Sequence, residues 1–171
     1  MSDSNSIIEV LVVVDAASLI QEYGTNTDPQ KPVQVTQPEL IYMITRQANA
    51  LAAQASNQLV IAAKTLDVIR WRQTTLSLNS AYTGILYQFE ASGGSDLISP
   101  PMPLEATVSV PLPNPAAPTK PDVQRIKTYF WNSTVLSPGE VTYDFRFMLV
   151  DRQGKIQGYY WWDPYIQISA G

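Results

Sequence analysis

The chain has 171 residues, of which 45% are hydrophobic and 15% charged, so we expect one folded domain over residues 1–171. Its net charge is −4 and its Lys and Arg residues are scattered, which argues against nucleic-acid binding through a concentrated basic surface. The absence of Cys and His excludes disulfides, thiolate or imidazole metal ligands, and Ser-His-Asp or Cys-His catalysis.

The first predicted element is a strand at Ile7–Val14, which is β-branched and almost continuously apolar. Such a run is typical of a strand buried on both faces, and it is too short to span a bilayer. Residues 1–6 are polar and carry no basic residue, unlike a secretory signal. We therefore expect a cytoplasmic protein without a signal peptide or membrane insertion.

A short helix and a set of connections follow this strand. Asp15 is placed to cap a helix that continues to Tyr23, and Gly24 is placed to end it. Residues 25–38 contain three Pro and predict a loop, and residues 40–45 predict a strand. Residues 46–57 are rich in Ala and Gln, and we interpret them as an irregular connection or a poor strand.

The later strands are predicted from alternation of apolar and polar residues at 59–63, 68–72, 82–90, 104–110, 141–149 and the segment after residue 155. Residues 111–121 are rich in Pro and predict an extended crossover between sheets. The fold class is therefore all-β, an antiparallel β-sandwich of about eight or nine strands with at most one short helix. Its predicted core contains Ile69, Trp71, Ile85, Tyr87, Phe89, Tyr143, Phe145 and Phe147.

Four consecutive aromatic residues, Tyr159, Tyr160, Trp161 and Trp162, precede Asp163. In a strand, Tyr160 and Trp162 share one side with Ile156, while Tyr159, Trp161 and Asp163 share the other. We expect one side to pack into the core and the other into a second subunit, with a two-fold dimer favoured. The alternative is an exposed sugar-stacking platform, as in a lectin.

Arg70 and Arg72 flank Trp71 and point away from it. They could contact an anion or a glycan, since Arg makes forked hydrogen bonds to oxygen groups. The other interpretation is a solvated strand face paired with Asp144 or Glu140.

Four aspartates at predicted turns or strand ends could offer oxygen ligands to Ca²⁺: Asp15, Asp28, Asp151 and Asp163. No stretch has the spacing of a calcium loop, so we interpret them as caps and turn residues and expect no metal and no cofactor. Two carboxylates that converge in a cleft would be the remaining route to an enzyme, of the glycosidase type.

Four segments, "VLVVVDAASLIQEY", "ELIYMIT", "DVIRWR" and "GYYWWDPYI", resemble the PixA/AidA family of bacterial inclusion-body proteins over nearly the whole chain. The resemblance implies a bacterial protein made in quantity, often under population-density or host-association control, and capable of depositing as intracellular inclusions. It supplies no catalytic residues. Inclusion-forming members tend to be methionine-rich, whereas this chain has 4 Met. This departure argues against inclusion formation by this member. The missing His and Cys, the two-faced aromatic strand and the resemblance together predict a non-enzymatic, self-associating protein, with a glycan- or small-ligand-binding module as the alternative.

Overall fold

The computed structural model describes residues 5–169. Residues 1–4, on which part of the signal-peptide prediction rests, and residues 170–171 lie outside this range. Within it the chain forms one α-helix, α1 (Ala16–Tyr23), and short 3₁₀ turns at Pro38–Leu40 and Gln47–Asn49. The strands are β1 (Ile7–Val14), β2 (Val33–Gln34), β3 (Ile41–Ile44), β4 (Ala50–Ala52), β5 (Val60–Ala62), β6 (Val68–Thr75), β7 (Tyr82–Gly93), β8 (Met102–Leu112), β9 (Asp122–Thr134), β10 (Gly139–Asp151), β11 (Ile156–Trp162) and β12 (Tyr165–Ser169).

The strands form two mixed sheets. The first has the order β3-β1-β6-β9-β8; the second has the order β2-β11-β10-β12-β5-β4, with β7 also paired to β10. Three pairs are parallel, namely β1 with β6, β2 with β11 and β5 with β12. The expectation of a strictly antiparallel sandwich with eight or nine strands is therefore wrong in detail. Periodicity identifies a strand but not the direction of its neighbour.

An aromatic core joins the two sheets. The prediction is confirmed for five residues that are fully buried: Ile69, Trp71, Tyr143, Phe145 and Phe147. The ring of Phe145 on the second sheet lies 5.7 Å from that of Trp71 and 6.0 Å from that of Trp131, both on the first sheet. These contacts show that the sheets pack face to face, as in a sandwich.

Ile85 and Tyr87 do not belong to this core, and a β-bulge explains why. Along β10, Phe147 pairs with Leu86 and Arg146 pairs with Gln88, so the residue between them has no partner. One extra residue reverses the alternation of side chains beyond it. Leu86 is buried in place of Ile85, and Phe89 packs against the core from a partly buried position.

β1 is buried on one face rather than on both. Ile8, Val10, Val12 and Val14 point inward, while Ile7 and Leu11 are exposed on the outer face of the first sheet. The expectation of two buried faces is therefore wrong for this strand, whose outer side is only partly covered.

The segment around α1 forms as predicted. Asp15 accepts a hydrogen bond from the backbone N–H of Ser18 at 3.2 Å, and the N–H of Gly24 donates to the carbonyl of Ile20 at 2.9 Å. Gly24 has φ +72°, a conformation that glycine adopts without strain. Residues 46–57 form the expected irregular connection, a 3₁₀ turn followed by the short strand β4.

Residues 111–121, predicted as a crossover between sheets, are the end of β8 and the loop of a hairpin. β8 and β9 pair with each other from Met102–Asn132 to Leu112–Asp122. β9 pairs with β6 only between Trp131 and Thr134. The rest of the hairpin, residues 102–129, is called the arm below. A Pro-rich stretch is equally typical of a crossover and of a hairpin loop, so composition could not separate the two.

Candidate functional site

The arm has no buried residue between Pro101 and Tyr129. One of its faces is apolar, because residues paired across an antiparallel ladder point to the same side, as Val108 and Ile126 do. The large exposed residues of this face, between 37% and 60% exposed, are Met102, Leu104, Val108, Leu112 and Ile126. The opposite face is mainly polar and includes Thr107 and an ion pair of 3.3 Å between Lys127 Nζ and Glu105 Oε2, although it also carries Val123, which is 64% exposed. The alternation at residues 104–110 predicts β8, but no pattern singled out β9, so this surface was not predicted.

Arg70 and Arg72 lie on the outer face of the first sheet and share one carboxylate. Glu9 on the neighbouring β1 lies 3.6 Å from Arg70 Nη1 and 3.1 Å from Arg72 Nε. The predicted pairing with Asp144 or Glu140 is wrong, because those residues are on β10 in the second sheet. Parallel pairing of β1 with β6 places Glu9 beside Arg70.

Both guanidinium groups also cover the ring of Phe130, whose position could not be predicted without β9. Arg70 Cζ lies 5.0 Å and Arg72 Cζ 4.5 Å from the centroid of Phe130, which is buried although it faces outward. Arg72 Nη1 also donates to Thr128 Oγ1 at 2.7 Å. The pair of arginines thus stabilises an aromatic ring on the sheet surface, an arrangement that Arg favours through its planar group.

The side chains of the aromatic strand β11 alternate between a buried and a partly exposed side, as predicted. Tyr160 and Trp162 are buried, and Tyr160 Oη donates to the carbonyl of Gly24 at 2.7 Å. Burial raises the pKa of Tyr160 to about 12. Gly158 is required here, since a Cβ at that position would collide with the ring of Tyr160.

The outer side of β11 carries Tyr159 and Trp161, which are partly buried, and Asp163, which is exposed. Tyr159 packs edge-to-face against Tyr87 with ring centroids 5.6 Å apart. Burial raises the pKa of Tyr87. Rings within the chain therefore cover part of this face, and its coverage by a second subunit stays a prediction.

The carboxylates of two turn aspartates accept hydrogen bonds from backbone N–H groups of their own turns. Asp28 accepts a hydrogen bond from the N–H of Gln30 at 2.9 Å, and Asp151 accepts from the N–H groups of Gln153 and Lys155, both at 2.9 Å. Within residues 5–169 no group of three or more acidic side chains lies close enough to hold a metal ion. In the same range, no helix is long and apolar enough to cross a lipid bilayer.

A cleft opens where β6, β7 and β9 meet at the edge of the sandwich. Its volume is about 480 Å³, and its walls include Trp71, Gln73, Gly84, Tyr129 and Trp131. Tyr129 Oη and Trp131 Nε1 both donate to the carbonyl of Leu86, at 3.0 Å and 3.1 Å, which fixes the two rings relative to β7.

Gln73 is the unusual residue of this cleft. Its Oε1 and Nε2 atoms are inaccessible to solvent and have no hydrogen-bond partner among the described residues. The sequence contains a pattern that indicates this residue. Ile69, Trp71 and Gln73 alternate along β6, so the carboxamide of Gln73 lies on the same, inward-facing side as the two apolar residues.

Comparison with known proteins gives a consistent result over nearly the whole chain. The family model described as PixA, inclusion body protein, matches residues 6–168. The crystal structure of the inclusion body protein PixA from Burkholderia cenocepacia J2315 aligns with a TM-score of 0.83 over 99% of both chains, at 17% identity. At that identity the likeness shows a shared fold.

A second structure is far less similar. The cysteine protease inhibitor EhICP2 from Entamoeba histolytica aligns with a TM-score of 0.27 at 15% identity, over 64% of this chain and 86% of its own, which supports no conclusion. A comparison with curated proteins finds no match.

Proposed function

The chain belongs to the PixA family of inclusion body proteins, and we propose that it is a non-enzymatic structural protein that self-associates through its arm and accumulates in the cytoplasm. The observation that carries this proposal is the exposed apolar face of the arm, with Leu104, Val108 and Ile126 at its centre. Family membership makes a second copy of the chain the natural occupant of that face.

The marginal stability of the arm indicates that a partner covers its apolar face. A two-stranded ribbon is marginally stable in water when no further strand or helix covers it. The arm is such a ribbon, since no residue between Pro101 and Tyr129 is buried. Contiguous exposed apolar surface of this kind marks an interaction site in soluble proteins.

The outer side of β11 provides a second surface for self-association. Tyr159 and Trp161 are partly exposed there, and aromatic residues are enriched at protein interfaces. The exposed apolar residues of the arm are more numerous and less covered by their own chain, so we assign the principal contact to the arm.

The test is the oligomeric state of single-residue variants, measured by light scattering over a range of protein concentrations. Val108→Glu places a charge in the apolar face of the arm and should weaken self-association by at least about tenfold. Thr107→Glu is the matched control, because it places the same charge on the polar face of the same strand. Circular dichroism verifies that both variants are folded.

Two substitutions in β11 test whether its outer side contributes to self-association in addition to the arm. Trp161→Glu should leave the protein folded and test the outer side of β11, whereas Trp162→Glu should unfold it, because Trp162 is buried in the core. A wild-type protein that is monomeric at high micromolar concentration would refute self-association. Equal assembly of Val108→Glu and Thr107→Glu would refute the role of the arm.

A further inference from the structure

We propose that the cleft between β6, β7 and β9 binds the neutral, hydroxyl-rich ring of a sugar, with the carboxamide of Gln73 as its principal polar contact. A volume of about 480 Å³ lies within the range of small-molecule pockets. The site is independent of self-association, because Tyr129 and Trp131 point to the opposite side of β9 from the apolar face of the arm.

The unpartnered carboxamide is the first argument. A buried polar group without a hydrogen bond destabilises a fold. The amide of Gln73 lacks a partner at both its donor and its acceptor, and a ligand that supplies both partners would explain why a polar residue is present there. The unbranched side chain of Gln has three rotatable torsions, which allow the amide to move from this buried position to a ligand in the cleft. Two adjacent hydroxyl groups match it, one donating to Oε1 and the other accepting from Nε2.

Gly84 leaves room for this amide, which occupies the space that a side chain at position 84 would fill. A Cβ at position 84 would lie 2.7 Å from Gln73 Nε2, closer than the two atoms can approach without displacement. Any other residue at this point of β7 would push the carboxamide away from its position on the cleft wall.

The walls supply the second argument. Tyr129 is 41% exposed at the rim, and its ring and that of Trp131 are held in place by their hydrogen bonds to Leu86. Fixed aromatic rings with a few neutral polar groups suit a molecule that has one apolar face and several hydroxyls. Asn79, Thr83 and Thr128 add three such polar groups to the lining.

Charge selects a neutral ligand. Lys127 is the one charged residue among those that line the cleft, and its Nζ lies 3.3 Å from the carboxylate of Glu105. The cleft therefore has neither a carboxylate wall for a cation nor an unpaired cation for a phosphate.

The experiment screens neutral hexoses and disaccharides at millimolar concentration by ligand-observed NMR, with tryptophan fluorescence as the second readout. We expect at least one sugar to bind wild type and its affinity to fall at least about tenfold in Gln73→Leu. Gln153→Leu, in an exposed turn, is the control and should bind like wild type.

Thermal unfolding of the same variants distinguishes a binding role from a structural one. Removing an unpartnered buried amide should leave the melting temperature of Gln73→Leu unchanged or raise it. A fall of the size expected for a core residue would overturn the proposal, as would the absence of binding or unchanged affinity in Gln73→Leu. If that variant fails to fold, Tyr129→Ala at the exposed rim decides, since loss of binding supports the site and retention refutes it.

Discussion

Phe145 is the residue whose removal should damage the fold most. Its ring is fully buried on β10 and contacts five other rings, with centroids between 5.1 Å and 6.0 Å away: Phe89, Tyr143, Trp71, Trp162 and Trp131. Two of these rings belong to the first sheet and three to the second. Phe145→Ala therefore removes the side chain through which the two sheets make much of their contact.

The expected loss can be worked from these contacts. Truncation of a buried Phe to Ala destabilises a protein by about 3–5 kcal/mol. Each aromatic pair contributes about 0.5–1.5 kcal/mol beyond burial, although neighbouring contributions do not add fully. With five rings around it, Phe145 belongs at the upper end, and we expect a loss of about 5 kcal/mol in the free energy of unfolding.

Urea denaturation followed by tryptophan fluorescence measures this loss, with circular dichroism as the second probe of unfolding. Leu51→Ala is the control, because Leu51 is exposed on β4 and should change stability by no more than about 0.5 kcal/mol. A loss below about 1 kcal/mol for Phe145→Ala would show that this ring is not in the centre of a packed core.

Two further predictions concern metal ions and pH. Chelators and added Ca²⁺ should leave the melting temperature nearly unchanged, and a rise of many degrees with modest Ca²⁺ would show that the turn aspartates form a site after all. Because burial raises the pKa of Tyr160 from 10.0 to about 12, its neutral form is favoured in the folded state. Its contribution to stability is complete below about pH 10 and is lost between about pH 10 and 12. Tyr160→Phe should reduce this alkaline loss in thermal unfolding measured against pH, and an unchanged profile would contradict the assignment.

Alternation in the sequence predicts individual strands well where the strand is regular. On β10, Tyr143, Phe145 and Phe147 all point inward as expected. On β7 the same reasoning fails for Ile85 and Tyr87, because one residue at the bulge changes the side to which its neighbours point. A bulge depends on how two strands meet, so the sequence of one strand does not reveal it.

The candidate site was harder to predict because its parts come from distant segments. Glu9 and Arg72 form their ion pair because β1 and β6 lie side by side, although 63 positions separate them. The cleft likewise needs Gln73, Leu86 and Tyr129 from three strands. Local patterns locate each strand but leave the choice of its neighbours to tertiary packing.

The position of β12 has a consequence for the order in which the protein can fold as it is made. In the second sheet this strand lies between β10 and β5, so it joins the long β10 to the early strands β4 and β5. Until residues 165–169 leave the ribosome, β5 lacks this neighbour, and residues 139–142 of β10 lack their partner strand on the same side. Pairing between such distant segments is slow, and open strand edges invite contact with other chains. In the nascent chain, the last strand to be made thus decides when the edges of β5 and β10 are closed to other chains.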